Sequence, residues 1–474
     1  MLPPDDLMAR LRAVGQEQVM AFWSELDSPA RAELIAELEA IDLDQLRILA
    51  DTLVHSSPEP AHGLDEVAAC EVIRLPRTDG ERVARRLAAE LGESMLAAGE
   101  VAVVLVAGGQ GTRLGFDGPK GTYPIGPVSG NSLFQIHAEK VRALGRRYGK
   151  PIPLYIMTSF ENDTATRAFF EKHDRFGLRH LRCFVQGQMP ALDAKSGRML
   201  LTDKGRIALS PDGHGGALDA LAKPAPGGAP SCLDEMRSLG VRVIFYFQVD
   251  NPLVKIAEPA FLGQHRQGNS QISFKVVEKV QPDEKVGLVV LIDGCPQVIE
   301  YSDLPSELAE RRQPDGSLEL WAGSIAIHAF ELDYVEGLIA GHQMPFHRAL
   351  KKVNYLDCQG KLVVPRAANA VKFERFIFDA LPLAQRFVVV ETDRATEFEP
   401  LKNATGPDSP ATVRQRMSDL YAGWLESAGA TVARRADGSA SFGIEISPLF
   451  ALDCAELKSK IKPNTVVDGP VYFK

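Results

Sequence analysis

The stretch VAVVLVAGGQGTRLGFDGPKG, residues 101–121, decides how the rest of the chain is read. An unbroken apolar run, rich in valine, breaks into glycines and is followed by Arg113 and Lys120. Apolar continuity, as opposed to alternation, marks a strand covered on both faces, as in parallel sheets. Gly108, Gly109 and Gly111 remove side chains where backbone amides come close to a ligand or turn with positive φ. Amides exposed at the carboxyl end of a strand cradle anions. Arg113 adds a planar fork suited to phosphate oxygens, and Lys120 a mobile point charge. Together they predict a polyphosphate site. Two commoner phosphate loops are excluded. GxxxxGK[ST] needs a Gly-Lys pair that neither Gly111 nor Gly115 begins, and GxGxxG needs glycine where Leu114 stands.

Outward from that loop, strands and helices alternate. NSLFQIHAEKVRALGRRYG predicts a helix opening with Ser132 and Gln135 at capping-box spacing and closing at Gly149. PIPLYIMTS, LRCFVQG and GVRVIFYFQVDNP read as further strands, and NDTATRAFFEKH as a helix. The alternation predicts an open, mainly parallel α/β sheet with helices on both faces. From QISFKVVEK to LELWAGSIAIHAF the reading turns strand-rich, an antiparallel extension of that sheet. Residues 1–98 read as a helical region. LMARLRAVGQEQVMAFWSEL is amphipathic, Ser28 is placed to cap the next helix with Pro29 at its first position, SSPEPAHG is a linker, and a last helix ends at Gly99. The expected organisation is therefore a helical region 1–98, a catalytic nucleotide-binding α/β domain 99–386, and a small appended domain 387–474 with strands of its own.

A net charge of −9 over 474 residues argues against general affinity for nucleic acid or anionic membranes, so an anionic ligand needs a local basic cluster. The six cysteines are scattered without CxxC spacing, and the acidic start MLPPDDLMARLR has no apolar signal core. No apolar run reaches transmembrane length. These features point to a reducing cytoplasm. His265, His328, His342 and His347 show no metal-ligand spacing and read as packing or surface residues.

The loop LVAGGQGTRLGFDGPKG resembles the signature of the nucleotide-sugar pyrophosphorylases that use UTP, above all the eukaryotic-type UDP-N-acetylhexosamine enzymes, with UDP-glucose pyrophosphorylases as relatives. The resemblance extends through VGQEQVMAFWSEL, SLFQIHAEKV, SPDGHGGAL, FQVDNPLVKIAEPAFLG, KVVEKVQPDEKVG, VIEYSDLP, AVKFERFIFDALP and FEPLKNATGPDSPAT. It implies a nucleotidyltransferase-type, Rossmann-like mixed sheet. The activity it implies is formation of a UDP-sugar and pyrophosphate from UTP and a sugar-1-phosphate.

By that resemblance the backbone of Gly108 and Gly109 approaches the nucleotide, Arg113 holds the leaving phosphates, and Lys120 meets the α-phosphate. Asp250, in FQVDNP, holds Mg²⁺, which needs few protein carboxylates when phosphates complete its shell. Lys372 contacts phosphate and Lys402 the sugar phosphate. Gln186, or Gln188 two residues on, reads uracil beside Gly213. Gly287 and Glu300 face the sugar. Two blocks depart from the hexosamine enzymes: His214 stands where they carry asparagine, and Ser324 and Ile327 likewise. Isoleucine cannot hydrogen-bond a hydroxyl or acetamide. N-acetylglucosamine-1-phosphate leads as acceptor, with glucose-1-phosphate or another hexose-1-phosphate behind it. The alternative of another class is a protein that binds UTP or a UDP-sugar without turnover.

Overall fold

The computed structural model describes residues 3–56, 67–224, 226–341, 344–462 and 464–474. The expected linker over 56–63 lies outside them except for Ser56, as does His342. Packing gathers the chain into two units, one from Met1–Leu64, Gln186–Asp219 and Gln343–Asp379, the other from the remaining three stretches.

Among the described residues, the larger unit is built on a ten-stranded sheet. Val101–Val106 lies at its middle, parallel to Leu154–Thr158 on one side and to Val243–Gln248 on the other, with Leu181–Val185 parallel beyond Leu154–Thr158. The first five residues of Val101–Val106 are buried without alternation, as a strand covered on both faces requires. Gly99, at φ 80°, ends the preceding helix Asp79–Ala98, and Gly149, at φ 69°, ends Leu133–Tyr148. Of the expected capping box, one half is present: the Ser132 hydroxyl accepts from the Gln135 amide, while the Gln135 side chain turns to Glu139 at 2.9 Å.

Beyond Val243–Gln248 the sheet becomes antiparallel through Ala322–Glu331, a ten-residue strand that touches three partners. It pairs with Val243–Tyr246, with Leu288 of Leu288–Ile292, and along its other edge with Ile272–Glu278. Opposite Lys275 it bulges: Phe274 faces His328 and Val276 faces Ser324, so residues 325–327 oppose a single residue, with Ala326 at φ 55°. Phe387–Glu391, read from sequence with the appended domain, instead joins the large sheet parallel to Ile272–Val276. Its apolar core FVVV is suited to pairing beside ISFKV, and its Val389 and Val390 are buried. After it come the helix Pro410–Ser427 and two small parallel ladders, Thr431–Val432 with Val466–Val467 and Ile444–Ile446 with Val471–Phe473.

The smaller unit packs the N-terminal helices on short antiparallel ladders. Its core joins Leu7, Leu11, Val19, Trp23, Leu34 and Leu46 to Leu192, Val371 and Phe373. Most of the apolar face expected over 7–26 is buried, with Val14 and Leu26 half-buried, but not as one helix. The helix stops at Ala13, Gly15 turns at φ 69°, and two 3₁₀ turns follow. The next helix is capped one residue earlier than expected, by Asp27, whose carboxylate accepts from the Ala30 amide at 2.9 Å. A charged acceptor there displaces Ser28 into the first turn. Among the described residues no helix is long and apolar enough to cross a membrane.

Candidate active site

In the larger unit, the carboxyl ends of Val101–Val106 and Val243–Gln248 lie side by side, so the glycine loop and the Asp250 turn leave the sheet together. The glycine loop closes on itself: the Gly111 amide donates to Gly118 O at 2.9 Å, and the Lys120 amide to Gly109 O at 3.1 Å. This closure carries the Lys120 side chain back to Asp250, Nζ to Oδ2 3.3 Å, with the two side chains 17% and 13% exposed. Gly111 has a packing reason to be glycine, since a Cβ there would stand 2.7 Å from the Phe116 ring. Gly109 has none: a Cβ would meet nothing within 4 Å. Gly108 precedes it half-buried at the strand end, and Arg113 is exposed, with no ion-pair partner among the described residues.

The turn after Gln248 is tied to a distant part of the chain. Asp250 O accepts from the Leu401 amide at 2.8 Å, placing Lys402 next to this turn. The Lys402 and Asn403 amides both donate to Asp408 O. Burial lifts the Asp408 carboxyl above its ordinary range, with Asp250 adding to the rise and Lys402 opposing it. Glu300 is lifted in the same way, by burial first, then by Asp303, against the pull of Lys402. Gly287 belongs to this group, because a Cβ on it would lie 3.3 Å from Glu300 Oε1, and its carbonyl accepts from the Ser324 amide at 2.8 Å. Lys120, Asp250, Lys402, Glu300 and Gly287 thus form one neighbourhood of mixed charge. Ile327 is not brought to it: the residue is 2% exposed within the hydrophobic core, on the bulge that Ala326 forms.

In the smaller unit, the Gln186 side chain donates to Gly213 O at 2.6 Å, while Gln188 sits in a ladder opposite Pro211. Gly213 needs to be glycine twice over, at φ 84° and with a Cβ position 2.3 Å from Arg375 O. His214 accepts at Nδ1 from the Ile377 amide at 3.2 Å and lies beside Phe376 and Phe378. Burial pushes its imidazole down to about 4 against the pull of Asp379, so the ring is neutral with its proton on Nε2. Lys372 lies on Ala370–Glu374, where Val371 and Phe373 face the core and strand alternation puts Lys372 on the opposite face.

Three supports were not legible beforehand. Asn162, fully buried at the head of a helix, donates to Ala107 O at 2.9 Å and Gly109 O at 3.3 Å and accepts from the Ser159 amide. It holds the glycine loop at the strand end. Arg375 braces the Gly213 turn through Asp212 at 2.8 Å and through Asp219. Asp408 is the third. An asparagine before a helix and an arginine in KFERF look like an ordinary cap and an ordinary surface charge, and only long-range contacts reveal their roles.

Among the described residues no cluster of three or more His, Cys, Asp or Glu could hold a metal by itself. His265 meets Ser273 at 2.8 Å, His328 packs on Phe274, and His347 meets Asp379 at 2.8 Å. Asp250, a partly exposed hard-oxygen donor beside an anion cradle, has the chemistry of a Mg²⁺ ligand that shares its ion with bound phosphates.

Comparison with known proteins agrees with this geometry. Residues 65–423 match the family model described as UTP–glucose-1-phosphate uridylyltransferase. The human UDP-N-acetylhexosamine pyrophosphorylase-like protein 1 is 37% identical over 450 residues, covering 91% of this chain and 87% of its own. The Saccharomyces cerevisiae UDP-N-acetylglucosamine pyrophosphorylase is 37% identical, with coverage of 88% and 90%. The Trypanosoma brucei uridine diphosphate N-acetylglucosamine pyrophosphorylase, whose crystal structure contains an inhibitor, superposes with a TM-score of 0.80 at 25% identity over 98% of each chain. A glycine cradle at the carboxyl edge of a parallel sheet, a lysine and an aspartate meeting over it, and these matches lead to one conclusion: the chain belongs to the UTP–glucose-1-phosphate uridylyltransferase family.

Proposed function

We propose that the protein joins UTP to N-acetylglucosamine-1-phosphate, releasing pyrophosphate. An oxygen of the sugar phosphate attacks the α-phosphorus of UTP, and the bond from that phosphorus to the bridging oxygen of the leaving pyrophosphate breaks. The reaction asks for little covalent chemistry from the protein and much positioning of polyanions. The observation that carries this reading is the Lys120–Asp250 pair at 3.3 Å beside open space over Gly109. An ammonium and a carboxylate so placed can separate, the first to the α-phosphate and the second to Mg²⁺.

In this reading Gly108 and Gly109 give the triphosphate a side-chain-free approach. Arg113, free of carboxylate partners among the described residues, receives the leaving phosphates, and Lys402 receives the sugar phosphate. Lys372 adds a further phosphate contact. Gln186 and Gly213 read uracil, with Gln186 favoured over Gln188 because its amide is already oriented by Gly213 O. Asp250 would hold Mg²⁺, which supplies charge neutralisation on the phosphates when bound. Glu300 and Gly287 recognise the sugar. His214, neutral, stands in the block assigned to the sugar by family likeness. The acceptor is assigned from the yeast and trypanosome relatives, which are UDP-N-acetylglucosamine pyrophosphorylases. A cytosolic setting is part of the proposal, supported by six unpaired cysteines.

The test is pyrophosphate release from UTP and Mg²⁺ against a panel of hexose- and hexosamine-1-phosphates. N-acetylglucosamine-1-phosphate is expected to give the highest kcat/KM. A higher value with glucose-1-phosphate would transfer the assignment to that sugar. Binding of UTP with no pyrophosphate released against any acceptor would replace the enzyme by a binding protein.

A further inference from the structure

The larger unit holds a cavity of about 610 Å³ that none of the nucleotide or sugar residues lines. Its size is that of a small-molecule site. One wall is the segment from Pro252 to Ile256, which begins two residues after Asp250. Tyr148, Tyr421 and Trp424 supply aromatic surface, and Leu144, Leu253 and Ile256 aliphatic surface.

The charges on this lining do not balance. Arg85 is engaged by Glu258 at 2.9 Å, and Arg147 by Asp453 at 2.6 Å. Lys140 and Lys255 are not so engaged. The Lys140 ammonium donates only to the carbonyls of Pro252, at 2.5 Å, and Val254, at 2.8 Å. That of Lys255 donates to the Thr396 hydroxyl at 3.0 Å. Among the described residues neither has a carboxylate within ion-pair distance. Burial accordingly pushes Lys140 down to about 7. An isolated ammonium against an apolar wall is costly, and an anion entering the cavity would replace neutral partners by a charged one.

We propose that this cavity binds a small organic anion, a phosphate or sulfonate carried on an aromatic body, with Lys140 and Lys255 receiving the anion and Tyr148 and Trp424 the body. Inorganic phosphate satisfies the lysines but leaves the apolar lining wet, so it binds more weakly. The site is separate from the UTP cradle, and both can be filled at once.

The fluorescent probe 8-anilinonaphthalene-1-sulfonate tests this on the full chain. The probe is expected to bind the native protein at one per chain, with the same affinity in saturating UTP and Mg²⁺. Phenyl phosphate is expected to displace it at concentrations at least about ten-fold lower than inorganic phosphate. Lys255→Met and Lys140→Met should each weaken the probe by about ten-fold, the size of one charge-assisted hydrogen bond. Trp424→Leu should weaken it as well, and serves if a lysine variant fails to fold. Displacement by UTP would put the probe in the nucleotide site and overturn the proposal. So would native protein that does not bind the probe, or folded variants that bind it unchanged.

Discussion

Two lysine–carboxylate groups in the larger unit differ in a way that separates architecture from chemistry. Lys275 is fully buried and sits 2.6 Å from both Glu258 and Glu397, which are themselves held by Arg85 and by the Thr392 hydroxyl. The charges compensate one another, and burial is offset by close ion pairs and hydrogen bonds; Glu258 is drawn down to about 2, its cationic partners prevailing over burial. Lys120 has one carboxylate, at 3.3 Å, and keeps part of its surface open, as does Asp250. The first group is complete without a ligand. The second has capacity left, which in the proposed function polyphosphate with a metal fills.

The comparison breaks most visibly through turnover. Lys120→Ala is expected to lower pyrophosphate release by about 10²–10³-fold, the usual loss for one charge-stabilising donor, while the thermal midpoint stays within a few degrees. Lys275→Met should do the reverse. Removing the cation leaves buried Glu397 with no ion pair among the described residues and costs about 3–5 kcal/mol in denaturant unfolding, with activity per folded molecule retained. Equal destabilisation by the two substitutions would erase the distinction. Asn162→Ala removes two buried donations to the glycine loop and is expected to fall between them, losing about 2–3 kcal/mol and lowering turnover without changing the sugar preference.

A separate effect, independent of both lysines, is one of pH. His137, buried and bonded to Val249 O at 3.0 Å, is pushed by burial down to about 3, and His214 to about 4. Both are lower folded than unfolded, so the unfolded chain takes up protons first as pH falls below about 6.5. Stability should be full above that pH and decline toward pH 4, by up to about 1.4 kcal/mol per pH unit for each histidine. His137→Gln should flatten the profile measured by denaturant titration. Lys120→Ala should leave its shape unchanged.

What the sequence disclosed was whatever local chemistry encodes. The buried strand at 101–106 followed from unbroken apolarity, and the helix ends at Gly99 and Gly149 from the need for a left-handed residue. Family likeness gave Lys120 and Asp250 separate roles, and their 3.3 Å pairing came into view only with the parallel strands side by side. What stayed hidden depended on partners far along the chain. Phe387–Glu391 could not be recognised as part of the large sheet without Ile272–Val276 beside it. Ile327 looked like a sugar-facing position because a bulge does not show in a strand's composition, and that bulge belongs to the stretch that leaves the residue in the core. Asn162 was passed over because its partners, the carbonyls of Ala107 and Gly109, have no side-chain signature.

The strand Ala322–Glu331 has a consequence for biosynthesis. Val243–Gln248 pairs with Val101–Val106 on one edge, but its other edge waits for a partner that lies roughly eighty residues further along. At about 5–20 residues per second that edge stands open for several seconds on the ribosome. An apolar strand end with unfilled hydrogen bonds is what chaperones recognise and what aggregation uses. The nascent chain should therefore depend on protection until residue 331 has emerged, and translational pausing between 250 and 320 should cost more soluble protein than pausing elsewhere.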